Sequence, residues 1–228
     1  MGVKQILKKA RKQKRKILTV SEALEVIKSY KIPVAESKLV KKVEDALEFA
    51  DKIGYPVVLK VVSAKAIHKT DVGGIALDVK NKEELEKSYK KIIDNVKKKV
   101  RAKVDGILIQ KMVKGGEEVI VGGKKDPQFG QTLMFGLGGI FTEVYDDVSF
   151  RVIPINKKDA EEMIQEIKGY KILKGYRNKK YDVNSLIDIL LKTSELLEEN
   201  QEIVELDINP VIVLQKGAVA VDARIVVD

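Results

Sequence analysis

Apolar positions recur twice at helical spacing near the start of the chain and then give way to continuous and alternating runs. Ala23, Leu24, Ile27 and Tyr30 share one face of a helix that Thr19 or Ser21 caps. Lys31-Ile32-Pro33-Val34 ends that helix and opens a short strand. Val43, Ala46, Leu47, Ala50 and Ile53 repeat the pattern until Gly54 stops it. Tyr55 to Val62 is apolar apart from Lys60 and reads as a buried strand, with Ile75 to Val79 as its return partner. A lysine-rich helix covers 82–100. Strands follow at 107–113, 117–122, 131–135 and 151–155, helices at 157–168 and 182–199, and closing strands at 203–208, 211–214 and 218–222. Strands joined through glycine-bearing turns predict an α+β fold of antiparallel hairpins rather than a βαβ repeat.

Composition narrows the function classes. At 228 residues, 44% hydrophobic and 34% charged, the chain can bury a core as one domain or two small lobes. No apolar run reaches membrane-spanning length, and the basic start is not followed by a signal-peptide apolar stretch. With no cysteine, disulfides and thiolate metal sites are excluded and a cytoplasmic setting is expected. The net charge of +9 suggests nucleic acid until it is divided along the chain. Residues 1–16 hold eight lysines and arginines and no acid, leaving 35 basic against 34 acidic residues elsewhere. The basicity therefore belongs to a tail, read as a solvated, frayed leader, and a nucleic-acid partner is not expected.

The candidate chemistry starts from the sole histidine, His68, in Ile67-His68-Lys69-Thr70-Asp71-Val72-Gly73-Gly74. Imidazole carries protons near neutral pH and can hold a phosphoryl group. Lys60 interrupts an apolar strand, which either brings an ammonium to a phosphate or lets the stem snorkel to water. Gly73 and Gly74 permit close backbone approach to a ligand or simply turn a hairpin. Gly136-Leu137-Gly138-Gly139 can present backbone N–H groups to an oxyanion, yet matches neither a Walker loop nor a dinucleotide fingerprint. Glu205, Asp207 and Asn209 alternate along one strand face, and Asp222 arrives on a later strand. Oxygen donors converging on a strand pair suit Mg²⁺ shared with substrate phosphates; the alternative is a charged strand edge. Together these parts describe phosphoryl transfer.

Gly54-Tyr55-Pro56-Val57-Val58-Leu59-Lys60, the His68 segment, Glu118 to Gly130, Gly136-Leu137-Gly138-Gly139, Glu205 to Pro210 and Asp222 occur in an order that resembles a known family. The chain is similar, over about 18–228, to the ATP-grasp β subunits of ADP-forming acetate–CoA ligases, relatives of succinyl-CoA synthetase. The resemblance implies an ATP-grasp fold, two lobes with nucleotide held between antiparallel sheets, divided as a basic tail 1–17, an N-terminal lobe 18–109 and a C-terminal lobe 110–228. It implies ATP or ADP with Mg²⁺, and the reaction acyl-CoA + ADP + phosphate ⇌ carboxylic acid + CoA + ATP. The CoA chemistry belongs to an α subunit, typically in an α2β2 assembly. His68 becomes the phosphoryl carrier, oriented by Asp207 or Glu205, and Lys60 neutralises nucleotide phosphates. Gln110, Met112 and Val113 line the adenine pocket, Asn209 and Asp222 hold magnesium, and Glu118 is a further nucleotide or metal candidate. Glu143 and Arg151 frame the phosphate path. Two other readings stand beside it: an ATP-grasp carboxylate ligase using an acyl phosphate, and a non-catalytic nucleotide-binding regulatory subunit.

Overall fold

The computed structural model describes residues 2–63, 73–100, 104–139, 142, 146–175 and 180–228. Two compact units emerge, one formed by 35–113 and the other by 1–34 together with 114–228. The expected lobes 18–109 and 110–228 divide the chain elsewhere. In the structure 18–34 belongs with the C-terminal half, and the dividing line falls after the strand that contains Gln110 rather than within it.

The 35–113 unit is a four-stranded antiparallel sheet under two helices. Strands β1 (Ser37–Val40), β2 (Val57–Val62), β3 (Ile75–Val79) and β4 (Gly106–Lys111) lie in the order β1-β4-β2-β3. Helices α3 (Val43–Ile53) and α4 (Lys82–Val100) pack on one face. Alternation sorts the strands: Val57, Leu59, Val61, Ile107 and Ile109 join the core with Ala46, Phe49, Leu85 and Ile92. The neighbouring positions, Val58, Lys60, Leu108 and Gln110, point to the other face. The short strand expected at 31–34 is instead a single bridge from Val34 to Ala220, and β1 lies three residues further on.

The second unit is built on a longer antiparallel sheet. Strands β5 (Glu117–Asp126), β6 (Gly130–Leu137), β7 (Val148–Val152), β8 (Ile203–Val213) and β10 (Arg224–Val227) run in the order β10-β8-β5-β6-β7, with β9 (Ala218–Ala220) also on β8. The two strands expected at 203–208 and 211–214 are one, because the β5–β8 ladder shifts register between Val119 and Val121 and continues past Pro210. Helices α5 (Lys157–Glu166) and α7 (Val183–Glu199) cover the face that carries Leu133, Phe135, Leu206 and Ile208. A short helix, α6 (Tyr170–Gly175), lies between them in sequence. Its start is fixed by buried Asp147, whose carboxylate accepts the Lys168 and Gly169 N–H groups at 2.7 Å each.

The basic leader is not frayed. Residues Val3–Lys12 form helix α1, with Ile6, Leu7 and Ala10 buried and the lysines turned outward. It packs on α2 (Val20–Ser29), which Thr19 and Glu22 start with a reciprocal capping box. The Glu22 carboxylate also accepts a bidentate pair from Arg15, at 2.9 and 3.0 Å, and the Lys9 ammonium at 2.9 Å. Burial alone raises the Glu22 carboxyl, but the hydrogen bonds from Arg15, the Thr19 N–H and Lys9 outweigh it and bring it to about 2. No helix among the described residues is long and apolar enough to cross a membrane.

Candidate functional site

In the 35–113 unit the sheet face turned away from the helices carries the polar side chains. Val58 pairs with Gln110, and Lys60 pairs with Leu108, so Lys60 and Gln110 share that face. Both are buried, and among the described residues the Gln110 Nε2 amide has no hydrogen-bond partner. A buried amide without a partner is an unusual and expensive feature, and it suits a site that receives a polar ligand. Met112 and Val113 are half-buried as the chain leaves β4, and the Met112 N–H donates to the Pro56 carbonyl at 3.2 Å.

His68 lies in 64–72, outside the described residues, as does Glu143. Gly73 and Gly74, which follow that segment, are tied to α4 and β2. Gly73 has φ +64, a left-handed conformation that glycine takes freely, and its carbonyl accepts the Asn95 amide at 3.3 Å. A Cβ there would come within 2.6 Å of the Asn95 Nδ2. The Gly74 carbonyl accepts the Val61 N–H at 2.8 Å, which joins the segment's end to β2. Asn95 was not foreseen; its position on the lysine-rich helix gave no sign of this role.

In the other unit the acids gather as alternation requires. Asp207 faces Gly122 on β5 and Arg224 on β10. The Arg224 guanidinium donates to Glu205 at 2.9 Å. Burial pushes the Asp207 carboxyl up; Arg224 opposes this, while Glu205 and Asp222 push the same way as burial. The ladder also brings together the two expected metal ligands. Val211 pairs with Ala220 and Asp207 with Arg224, so the same antiparallel register carried across the gap sets Asn209 opposite Asp222. One Asp222 oxygen accepts the Ala223 N–H at 2.9 Å. Among the described residues, no group of three or more His, Cys, Asp or Glu side chains is placed to hold a metal ion. Arg224 escaped the sequence reading, although it lies two residues beyond Asp222, the spacing that keeps a strand face.

Four further candidates lie apart from these groups, and most have structural duties. The Gly138 N–H donates to the Glu118 carbonyl at 2.7 Å, and a Cβ on Gly138 would meet Glu118 backbone atoms at 3.0 and 3.2 Å. This glycine lets two chain segments approach closely, while Gly139, exposed with φ +66, ends the strand. Glu118 is exposed on β5. Arg151 is engaged by Glu166 and Glu162 of α5, on the helix-covered face of the sheet, rather than on the face of Asp207.

Comparison with known proteins bears on this arrangement. A family model described as an ATP-grasp domain matches residues 9–227. The acetate–CoA ligase [ADP-forming] I subunit beta of Pyrococcus furiosus is 47% identical, over 98% of this chain and 97% of its own. The acetate–CoA ligase [ADP-forming] I of Archaeoglobus fulgidus is 47% identical over 90% of this chain, which spans only 30% of that longer protein. Among solved structures, acetyl-coenzyme A synthetase 1 of Ca. Korarchaeum cryptofilum, in complex with coenzyme A and Ca-AMPCP, superposes with a TM-score of 0.96 at 46% identity, covering 100% of both chains. The same protein with coenzyme A and Mg-AMPPCP, described with its phosphohistidine segment pointing towards the nucleotide-binding site, gives 0.88 at 43%, again covering 100% of both chains.

Proposed function

The chain belongs to the ATP-grasp family, among the β subunits of ADP-forming acetate–CoA ligases, and from that membership we propose that it works with an α subunit to run acyl-CoA + ADP + phosphate ⇌ carboxylic acid + CoA + ATP. One observation carries the mechanism. The Korarchaeum relative has a phosphohistidine segment, and this chain has a single histidine, so His68 is the one residue able to play that part.

The chemistry balances without a further reactant. A terminal phosphate oxygen of ADP attacks the phosphorus on His68. The N–P bond breaks as the new P–O bond forms, and the imidazole regains its lone pair. Lys60 offsets the negative charge of the nucleotide phosphates, and Gln110, with Met112 and Val113, receives the base. Asp207 or Glu205 accepts the imidazole N–H and so keeps the reacting nitrogen available. Asn209 and Asp222 supply hard oxygen donors opposite each other, which suits Mg²⁺ that completes its shell with nucleotide phosphate oxygens and water. When bound, that ion neutralises charge on the transferring phosphate. The α subunit supplies CoA binding and the acyl phosphate, in an α2β2 assembly, and the absence of cysteine fits a cytoplasmic setting.

The test is intact-protein mass after incubation with the α subunit, Mg²⁺ and ATP. An acid-labile phosphoryl group is expected on the wild type and not on His68→Asn. A wild-type chain that binds nucleotide but stays unmodified beside an active α subunit overturns the reading.

A further inference from the structure

The strand register links the acidic site to an exposed apolar flank. Phe150 pairs with Met134, Met134 with Gly122, Gly122 with Asp207, and Asp207 with Arg224, giving one row across five strands on one face. The next row runs from Val152 through Thr132 and Lys124 to Glu205. At the β7 edge this face is apolar and open: Phe150 is 58% exposed and Val152 50%. Phe129, at the tip of the β5–β6 hairpin beside these rows, is 65% exposed. That tip is shaped by its own chain, since one Asp126 carboxylate oxygen accepts the Gln128 and Phe129 N–H groups at 2.7 and 3.0 Å.

Exposed aromatic and β-branched side chains gathered on one strand edge mark an interaction surface. We propose that Phe150, Val152 and Phe129 form the surface on which the α subunit docks. This rests on the reading above, in which the chain works with an α subunit. Two observations select that occupant. The fused Archaeoglobus relative carries more than twice this chain's length beyond the matched part, so a large partner surface must be accommodated. The flank also continues directly into the row of Asp207, three strand spacings or roughly 14 Å away. A partner that hands a phosphoryl group to His68 has to bind within reach of the carboxylates proposed to orient that histidine. A second copy of this chain has no such requirement.

The experiment uses the full chain and the α subunit from the same source, recognised by its match to the rest of the fused relative. Association is measured by sedimentation for the wild type, for Phe150→Ser/Val152→Thr and for Phe129→Ser. Mg-ADP binding to the isolated chain serves as the control for folding. The expected result is association weakened at least about 10-fold in both variants with unchanged Mg-ADP affinity. Unchanged association overturns the docking surface while leaving the function intact. Self-association of the isolated wild type that both variants abolish assigns the face to a second copy and also overturns it. A wild type that binds no α subunit overturns the functional reading, and this inference with it.

Discussion

Arg224 stands directly opposite Asp207 in the β8–β10 ladder, yet its guanidinium donates to Glu205 at 2.9 Å. The ion pair is half-exposed and adds little to stability. Its consequence is electrostatic, because it sets how much positive charge Asp207 feels among two other carboxylates.

Burial holds the Asp207 carboxyl above its ordinary value, with Glu205 and Asp222 adding to the effect. A carboxyl raised in this way destabilises the folded state when ionised, and the penalty fades as pH falls through its folded pKa. Asp207→Asn is therefore expected to keep or raise Tm at pH 7 while slowing phosphorylation of His68 about 10- to 100-fold. Thermal denaturation and rapid-quench labelling read the two effects separately. A fall in Tm with unchanged labelling assigns Asp207 a structural role only.

Lys60 occupies a strand whose six residues are all buried. Methionine has nearly the same volume and no charge, so Lys60→Met removes the ammonium without opening a cavity. Tm should hold within a few degrees while Mg-ADP affinity drops about 10-fold or more. Calorimetric titration checks this, and undiminished affinity places the phosphates elsewhere.

The Glu22 carboxyl lies at about 2 when folded, against an ordinary 4.5. A depressed carboxyl contributes stability above the unfolded value, and that contribution is lost as pH falls from 4.5 towards 2. Glu22→Gln should be less stable than the wild type at pH 7 by on the order of 2 kcal/mol, after allowance for screening. The gap should close across that acid window. Urea unfolding at a series of pH values measures it, and a gap independent of pH rejects the clamp by Arg15 and Lys9.

Gly138 sits against the Glu118 backbone, which cannot rotate away as a side chain can. Gly138→Ala should cost about 1–3 kcal/mol of stability through the displaced strand. Among the described residues a Cβ on Gly139 meets nothing within 4 Å, but φ is +66, so Gly139→Ala should cost about 1 kcal/mol through strain. Chemical denaturation of the two variants distinguishes crowding from backbone strain.

Much of this was legible in the residues. The Thr19 cap, the helix stopped by Gly54, the β2–β3 hairpin and the long helices follow from local period and turn chemistry. Helix α1 was not legible, because four apolar residues among five cations look like solvated chain until α2 is there to cover them. Strand β10 is four residues beginning with Arg224, too short to declare itself without β8 beside it. The facing of Asn209 and Asp222 depends on pairing between segments far apart in sequence, and alternation within one strand carries no such information. Arg151 misled for the same reason: only the register shows that it lies on the helix side.

The unit that holds Asp207 is discontinuous in the chain, with 35–113 inserted between its two parts. The first part is held by residues from the far end of the second: the Leu18 N–H donates to the Ile225 carbonyl, the Val227 N–H to the Lys16 carbonyl, and Val34 bridges to Ala220. During synthesis on the ribosome, then, helices α1 and α2 must wait with Ile6, Leu24 and Ile27 only partly covered while the inserted unit completes its own core. Loss of residues 225–228, which hold most of β10, would unlatch residues 16–18 as well as the edge of β8.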